Sequence, residues 1–392
     1  MSPERTRRDL LAPDPKRPVG LMLSGGGARG AFQVGVWKAL CEHPQGLRGR
    51  PAVVSGTSAG ALNGALIAAG VPPDRMLDFW LDLAARPPVR ANEVFFRTLE
   101  RALARLAVRE PVRGVGPRWR ELRILGALLR RHRWYRASGL LSLILEFAMT
   151  ARFDSLSTLL DGIGTSYLFD TSPLRDRLAE AIGGRTLRSD LRLAINAVDV
   201  RTGGVVRIVN HPPAKASHAA SRHYRYEPVI TLDMILASAS IPLLFNPVQV
   251  DHQLLWDGGL LVNSPMAPAV ALGARRLVPV LVTTGPAHAG AAPTTFGSAI
   301  ERLADAFLEN AYNIDRKLLL DRNALAARTR APELAVVELF RAIRPGSSTL
   351  FDAGSYLYFE PRMLRAMHDA GEHAARAWLD HGPELDSRDR EE

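Results

Sequence analysis

The sequence predicts an α/β fold with a mainly parallel sheet, and two strand–helix units near its start carry this prediction. An apolar run from Val19 to Gly25 is typical of a buried strand, and a helical pattern follows it. A second apolar run, Pro51 to Gly56, precedes a small-residue stretch that is typical of a helix and stops near Gly70. Consecutive strand–helix units favour a parallel sheet covered by helices. A hydrophobic content of 47% is enough to form a substantial core.

Downstream elements continue this alternation after one interruption. Residues 90–165 contain arginine-rich amphipathic pieces separated by turns, which indicates a basic helical insert. Ser172 as N-cap and Pro173 at the first helical position then predict a helix that ends at Gly184. Further strands are predicted in the segments 191–210, 275–283 and 334–343. The expected organisation is a disordered polar tail at 1–17, one α/β domain at 18–380 and a polar tail at 381–392.

The composition excludes several classes of protein. Cys41 is the only cysteine, so the chain has no internal disulfide and no cysteine-rich zinc site, which fits a reducing compartment. The first residues lack the apolar stretch of a secretory signal peptide. The sequence contains no run of about 18 uncharged apolar residues, so we expect no membrane-spanning helix. We therefore expect a cytoplasmic protein, with or without peripheral attachment to a membrane.

Ser58 lies in a G-x-S-x-G motif, directly after the second predicted strand and before its helix. A tight strand-to-helix turn leaves room only for small neighbours, here Gly56 and Gly60, and exposes the serine hydroxyl at the end of the sheet. The dipole of the next helix favours negative charge that develops beside it. Such a motif also arises by chance in glycine-rich loops, so alone it supports a nucleophile and a structural turn equally.

A second glycine cluster, Ser24–Gly30, joins the first predicted strand to its helix. Its spacing satisfies the dinucleotide pattern G-x-G-x-x-G, but no acidic residue lies between Glu42 and Asp74, where a ribose ligand is expected. A P-loop is excluded because no Gly-Lys-Ser/Thr sequence follows. We interpret the cluster as an oxyanion hole, in which amides near Gly26 and Gly27 face the serine from the adjacent strand.

A serine nucleophile also needs a base, and the residues alone leave its identity open. Four downstream histidines are candidates, although none lies in a recognisable motif: His288, His368, His373 and His381. The prominent carboxylate is Asp257, which Gly258 and Gly259 follow in a turn that would direct it towards a crowded site. The alternative for Asp257 is an ordinary β-turn aspartate, which is the commoner role of an Asp-Gly pair.

The motifs GGGARG, GTSAG and DGG, in that order, resemble those of the patatin-like phospholipases. The flanking blocks FDTSPL, ASASIPLLFNPV and NSP extend the resemblance. It covers about residues 18–281 apart from the basic insert, with a terminal helix beginning near Phe359. The resemblance implies a three-layer α/β/α domain with a mainly parallel central sheet, interrupted here by the helical basic insert.

The chemistry that the resemblance implies is a Ser–Asp dyad without histidine. Ser58 would be the nucleophile and Asp257 its base. The oxyanion hole would comprise Gly25, Gly26, Gly27 and Arg29, with Gly30, Gly56, Gly60, Gly258 and Gly259 supporting the motifs. A free aspartate has a pKa near 4 and is a weak base, so we expect apolar neighbours, Trp256 among them, to raise the pKa of Asp257. No metal or organic cofactor is implied.

The net charge of +10 is concentrated in the insert, where residues 97–136 hold twelve arginines and three glutamates. Arginine recurs at every fourth position over 97–109, so one side of a helix is charged while leucines occupy neighbouring faces. One interpretation is a set of core-packing helices with a solvated arginine face. The other is an interfacial lid over residues 97–149 that contacts an anionic membrane. No motif of a nucleic-acid-binding fold is present.

The sequence therefore predicts a serine lipid acyl hydrolase of the phospholipase A or lysophospholipase type, which cleaves carboxylic ester bonds of a lipid or phospholipid substrate. Two alternatives remain. One is an ordinary Ser-His-Asp esterase of the α/β-hydrolase type. The other is a membrane-binding scaffold with a vestigial site, against which the intact motifs argue.

Overall fold

The structure is a computed structural model that describes residues 10–108, 164–214, 223–285, 296–329, 335–346, 349–351 and 353–387. The helices are α1 (Gly30–Glu42), α2 (Ala59–Ala69), α3 (Pro73–Ala85), α4 (Glu93–Val108), α5 (Ser172–Ile182), α6 (Leu232–Ala237), α7 (Met266–Ala271), α8 (Phe296–Thr329) and α9 (Pro361–Asp380). The strands are β1 (Val19–Leu23), β2 (Val53–Thr57), β3 (Arg90–Ala91), β4 (Tyr167–Asp170), β5 (Thr186–Leu187), β6 (Arg192–Asp199), β7 (Val205–Val209), β8 (Tyr224–Tyr226), β9 (Ile230–Thr231), β10 (Leu243–Phe245), β11 (Val248–Val250), β12 (Gln253–Asp257), β13 (Arg276–Val280) and β14 (Glu338–Leu339). Short 3-10 turns cover Gly27–Arg29, Gly258–Leu260, Thr349–Phe351 and Ala353–Leu357.

A nine-stranded sheet runs through the described part of the chain, and its centre is parallel. β1 pairs in parallel with β2 on one side and with β13 on the other. β6 continues the parallel part beside β2, and β14 continues it beside β13. β7 and β12 pair with β6 in the antiparallel sense, as β11 does with β12. The sheet is therefore mixed, with parallel strands at its centre, which confirms the predicted fold class.

Helices cover both faces of this sheet. Side chains alternate between the faces along a strand, so neighbouring residues of β1 enter different apolar clusters. Leu21 and Leu23 pack in a cluster with buried residues of α1, α2, α3 and α9. Met22 packs in a second cluster with buried residues of α7 and α8. The arrangement is the predicted three-layer α/β/α architecture.

Two local predictions need correction. Thr171 is the N-cap of α5, and Ser172 is its first helical residue. The Asp170 carboxylate accepts hydrogen bonds from the Ser172 amide and hydroxyl, so the preceding aspartate takes the role that we expected of the serine. The strand predicted over 334–343 is limited to the two residues of β14. Beyond it the pairing continues only as isolated bridges among the described residues, from Phe340 to Leu385 and from Ile343 to Val280.

Only the first part of the predicted basic insert belongs to the described residues. Helix α4 begins at Glu93, whose carboxylate pairs with Arg97 one turn later at 2.7 Å. Residues 109–163 lie outside the described residues, as do the candidate His288 and the outer parts of both predicted tails, 1–9 and 388–392. Within the described ranges, every helix is too short or too polar to cross a bilayer.

Candidate active site

Strand β6 brings the two candidate catalytic residues together. β2 pairs with β6 up to Thr57, which lies opposite Asn196, and β12 runs the other way, with Asp257 opposite Ala197. β7 occupies the other edge of β6 at these positions, so β2 and β12 share one edge. Their carboxyl ends therefore meet at consecutive residues of β6. Because Ser58 directly follows Thr57, it lies beside Asp257.

Ser58 occupies a strained turn between β2 and α2, with φ 54° and ψ −122°. Residues other than glycine rarely adopt this backbone conformation, and where they do the strain is often functional. Glycines on either side make the turn sterically possible. A Cβ at Gly56 would lie 2.2 Å from the Gly60 carbonyl oxygen, and one at Gly60 would lie 2.3 Å from the Leu23 carbonyl oxygen. The Ser58 amide donates to the Ser238 hydroxyl at 3.0 Å.

Asp257 is 4% exposed at the end of β12. Burial raises the pKa of its carboxyl from 3.8 to about 7, while hydrogen bonds from the Gly259 amide and the Ser58 hydroxyl act in the opposite direction. The carboxyl is buried where the ends of β2 and β12 meet. A contribution of the neighbouring Trp256 to this burial stays a prediction.

The turn after Asp257 combines the two roles considered for this residue. Asp257 Oδ1 accepts the Gly259 amide at 2.7 Å, as a turn aspartate does, and the carboxyl also interacts with the Ser58 hydroxyl. Gly258 lies close to β6, because a Cβ there would be 2.2 Å from the Asn196 carbonyl oxygen. A Cβ at Gly259 would be 3.1 Å from Asp257 Oδ1. The turn therefore holds the carboxyl on the side of the serine.

The loop Ser24–Gly30, which we name the oxyanion loop after its predicted role, lies directly against the serine. A Cβ at Gly25 would be 3.2 Å from the Ser58 Cβ. The Gly25 amide donates to the Asn263 carbonyl oxygen at 3.1 Å and is already engaged. Within the described ranges, the amides of Gly26 and Gly27 have no hydrogen-bond acceptor. Of the three predicted glycine donors, these two are thus the ones available to an oxyanion.

Arg29 belongs to the oxyanion loop through its backbone, whose amide donates to the Gly26 carbonyl oxygen at 3.1 Å. Its side chain is 1% exposed and forms an ion pair with Asp305 of α8 at 3.0 Å. Gly30 lets the loop enter α1 against a large ring, since a Cβ there would be 2.4 Å from Trp80. The guanidinium of Arg29 is therefore directed into the protein interior.

Three polar residues that we did not single out from the sequence support the turn at Ser58. The Ser238 hydroxyl accepts the Ser58 amide and donates to the Asn196 carbonyl oxygen at 2.6 Å. A Cβ at Gly25 would be only 2.4 Å from Asn263 Oδ1, so this amide lies against the oxyanion loop. Ser238 and Asn263 belong to the flanking blocks ASASIPLLFNPV and NSP, so the sequence did point to the segments in which they lie. No sequence motif pointed to Asn196.

The candidate histidines lie elsewhere where the structure describes them. His368, on α9, is 3.0 Å from the Asp369 carboxylate, and His381 is 2.6 Å from the Ala377 carbonyl oxygen. Among the described residues, no histidine hydrogen-bonds to Ser58 or to its neighbouring carboxyl, and no cluster of His, Cys, Asp and Glu is suited to hold a metal ion. The arrangement is suited to proton transfer between a hydroxyl and a carboxylate.

Comparison with known proteins gives one family and several more distant relatives. The model of the patatin-like phospholipase family matches residues 21–270. Lysophospholipase nte1 of Aspergillus terreus (strain NIH 2624 / FGSC A1156) is 58% identical over 53 residues, which are 13% of this chain and 3% of that protein. VipD from Legionella pneumophila aligns over 95% of this chain and 68% of its own, with 15% identity and a TM-score of 0.36. The ExoU–SpcU complex of Pseudomonas aeruginosa aligns over 78% of this chain and 52% of the matched chain, with 20% identity and a TM-score of 0.24.

Proposed function

Because the chain belongs to the patatin-like phospholipase family, we propose that it is a serine lipid acyl hydrolase of the phospholipase A or lysophospholipase type. The family match indicates a lipid ester hydrolase. The observation that carries the finer assignment is the pairing of a strained Ser58 with the buried carboxyl of Asp257. The two unpaired amides of Gly26 and Gly27 lie in the loop that packs against this serine.

In the proposed mechanism, Ser58 Oγ attacks the carbonyl carbon of a lipid ester while Asp257 accepts the hydroxyl proton. Negative charge develops on the carbonyl oxygen, and the amides of Gly26 and Gly27 stabilise it. Asp257 then donates the proton to the departing alcohol oxygen, which leaves an acyl-Ser58 ester. Water attacks this ester while Asp257 accepts one of its protons. As the fatty acid leaves, Asp257 returns this proton to Ser58 Oγ, which restores the serine and the carboxylate.

The raised pKa of Asp257 supports its role as the base. An aspartate with an ordinary pKa is ionised at neutral pH but accepts a serine proton poorly. A pKa of about 7 makes the ionised carboxylate a stronger base and still leaves it largely ionised at slightly alkaline pH. The same carboxyl, once protonated, is a suitable acid for the departing alcohol. A histidine is not required for either step.

The surface beside the dyad supports a lipid substrate. Leu260 and Leu261 follow the turn at Asp257, and their side chains are 43% and 49% exposed. Exposed leucines next to a catalytic turn offer apolar contact to an acyl chain as it approaches the serine. We further propose that residues 97–149 make peripheral contact with anionic membranes, because arginines are clustered in this segment.

The cytoplasmic location and the absence of a nucleic-acid partner stay predictions.

The assignment of the nucleophile is tested with a fluorophosphonate probe and peptide mapping. We expect the probe to modify Ser58 and to leave Ser24 and Ser55 unlabelled. Ser58→Ala should abolish both labelling and ester hydrolysis while the protein remains folded, because the change removes one small polar atom.

Ser55→Ala is the matched control. Ser55 lies in β2, the strand that precedes Ser58, it is fully buried, and its hydroxyl has no hydrogen-bond partner among the described residues. This variant should keep full labelling and activity. Labelling of any serine other than Ser58, or hydrolysis by purified Ser58→Ala, would contradict the assignment.

A further inference from the structure

The oxyanion loop contacts parts of the chain that lie beyond residue 270, where the family match ends. One is helix α8. The other is the C-terminal strap, defined as the two 3-10 turns Thr349–Phe351 and Ala353–Leu357. These contacts fall on Gly27 and Arg29, which are the first and last residues of the 3-10 turn of the loop. They connect the proposed oxyanion donors to a region that the shared family motifs do not include.

The Arg29 guanidinium is bound on all sides by these elements. Its Nε donates to Ser355 Oγ at 2.8 Å, and its Nη2 donates to the Phe351 carbonyl oxygen at 2.8 Å. Its Nη1 donates to the Val282 carbonyl oxygen at 3.2 Å and to Asp305 Oδ1 at 3.0 Å. The side chain thus joins the oxyanion loop to the strap, to α8 and to the end of the central sheet.

Tyr356 of the strap reinforces this connection in three ways. Its ring lies under the guanidinium, 3.7 Å from Arg29 Cζ. Its hydroxyl donates to Asp305 Oδ1, the same oxygen that pairs with Arg29. Its carbonyl oxygen lies against Gly27, where a Cβ would be 2.1 Å away and where φ is +54°. The strap therefore touches the backbone of the oxyanion loop at Gly27, one of the two residues whose amides have no acceptor in the described part of the chain.

We propose that Arg29 is a positioning residue for the hydrolase reaction, through which the C-terminal strap and Asp305 hold the Gly26 and Gly27 amides in place. This inference rests on the proposed function. Because its donors are engaged by protein acceptors, the guanidinium does not act on the substrate. It acts through the backbone to which it is attached, and this role extends the working site to a segment outside the family match.

Such positioning has a large effect on rate. Oxyanion donors act when they are already aimed at the oxygen on which charge develops, and removing one costs about 10²- to 10³-fold in rate. A displacement of about 1 Å in a catalytic group costs about 10²-fold. A shift of the oxyanion loop should therefore weaken transition-state binding and leave substrate binding almost unchanged.

The test is Arg29→Lys, which keeps the positive charge but loses the planar fork of donors. Active sites are first counted by stoichiometric fluorophosphonate labelling, so that misfolded protein does not enter the rate. Per active site, we expect kcat for a soluble short-chain ester to fall about 10- to 100-fold, with KM within about twofold. The Ki of a trifluoromethyl ketone, which forms an oxyanion on the serine, should rise by a similar factor.

Arg276→Lys is the matched control. Arg276 is also buried and donates to three backbone carbonyl oxygens, those of Arg17, Leu10 and Ala12. It lies at the start of β13, away from the end that meets the oxyanion loop. This variant should lower the melting temperature by a comparable amount and keep the kcat and the ketone Ki of the unmodified enzyme.

Asp305→Asn provides a second test if Arg29→Lys does not fold, because the Asp305 side chain is partly exposed and the change is isosteric. We expect the same pattern with a smaller kcat loss, and a non-additive effect when both changes are combined. Unchanged kcat and ketone Ki in both variants, or an equal kcat loss in Arg276→Lys, would overturn the positioning role. Absence of labelling and hydrolysis in the unmodified enzyme would instead refute the proposed function itself.

Discussion

At Asp257, the requirements of folding and of the proposed chemistry oppose each other. The carboxyl has a pKa of 3.8 as an ordinary group and about 7 in the fold, because burial disfavours its charged form. The folded state therefore binds the proton more tightly than the unfolded state. Between these two pKa values, the free energy of unfolding falls as pH rises, and above pH 7 the full cost of the buried charge is present. The proposed base would therefore act in the pH range in which its charge destabilises the protein.

This opposition predicts that Asp257→Asn stabilises the protein while it destroys activity. The amide keeps the shape and an acceptor for the Gly259 amide but carries no charge. At pH 8 we expect the free energy of unfolding to rise, by up to a few kcal/mol at about 1.4 kcal/mol per pKa unit. The gain should shrink as pH falls towards 5 in urea titrations. Asp190→Asn, at an exposed aspartate, should show no such trend.

Activity should follow the same carboxyl. We expect kcat/KM of the unmodified enzyme to increase with pH through a midpoint of about 7 and then to level off, because the ionised carboxylate is the proposed base. Asp257→Asn should lower the acylation rate by about 10⁴-fold, by analogy with the loss of the orienting acid in serine triads. Alanine variants of His288, His368, His373 and His381 should keep most of their activity in stopped-flow assays. A folded histidine variant without activity would favour the α/β-hydrolase alternative.

At the scale of elements, α9 packs across α1 at two glycines. A Cβ at Gly35 would lie 1.8 Å from the His368 carbonyl oxygen, and a Cβ at Gly371 would lie 2.0 Å from the Phe32 carbonyl oxygen. At these two positions the helix backbones approach so closely that a residue with a Cβ does not fit. Since α1 begins at Gly30, the last residue of the oxyanion loop, this crossing also stabilises the helix into which the loop leads.

Gly371→Ala should consequently destabilise the protein, although alanine is the better helix former by about 1 kcal/mol. The new methyl group forces the helices apart, and overpacking of this kind costs about 1–3 kcal/mol or more. The measurement is the urea midpoint of unfolding. Gly346→Ala is the control, because no atom of the described residues lies within 4 Å of its added Cβ. A higher midpoint for Gly371→Ala would show that the helices do not cross this closely.

At the scale of the whole molecule, the uneven charge predicts selective binding to membranes. Each basic residue near an anionic surface contributes about 1 kcal/mol, and apolar side chains are favoured at the headgroup boundary. We expect the protein to sediment with phosphatidylserine-containing vesicles, to bind phosphatidylcholine vesicles weakly, and to be partly released by high salt, which screens charge.

Charge reversal identifies the segment responsible. Reversal at Arg101, Arg105, Arg120 and Arg123 should reduce vesicle binding and activity on lipid aggregates, while hydrolysis of a soluble ester persists. The matched variant has the same net charge and reverses exposed arginines outside the insert, namely Arg75, Arg328, Arg362 and Arg365. It should bind vesicles normally. Equal binding by both variants would favour the solvated-face interpretation of the insert.

Features that depend on neighbouring residues were predictable from the amino-acid sequence. The turns at Ser58 and at the oxyanion loop follow from small residues placed between an apolar run and a helical pattern, because a tight turn is limited by the side chains within it. The parallel sheet follows from repeated strand–helix units for the same local reason. The flanking blocks ASASIPLLFNPV and NSP pointed to the segments that contain Ser238 and Asn263. They did not predict which contacts these two residues make.

Contacts between residues that are distant in sequence became visible only in the folded structure. Ser58 and Asp257 are neighbours because β2 and β12 end on the same edge of β6, and strand order is a property of the whole chain. The same packing buries the carboxyl and raises its pKa, and it engages the Gly25 amide before any substrate arrives. It also directs Arg29 towards the C-terminal strap. None of these contacts is local in sequence, because burial and hydrogen-bond partners are set by residues that the fold brings in from elsewhere.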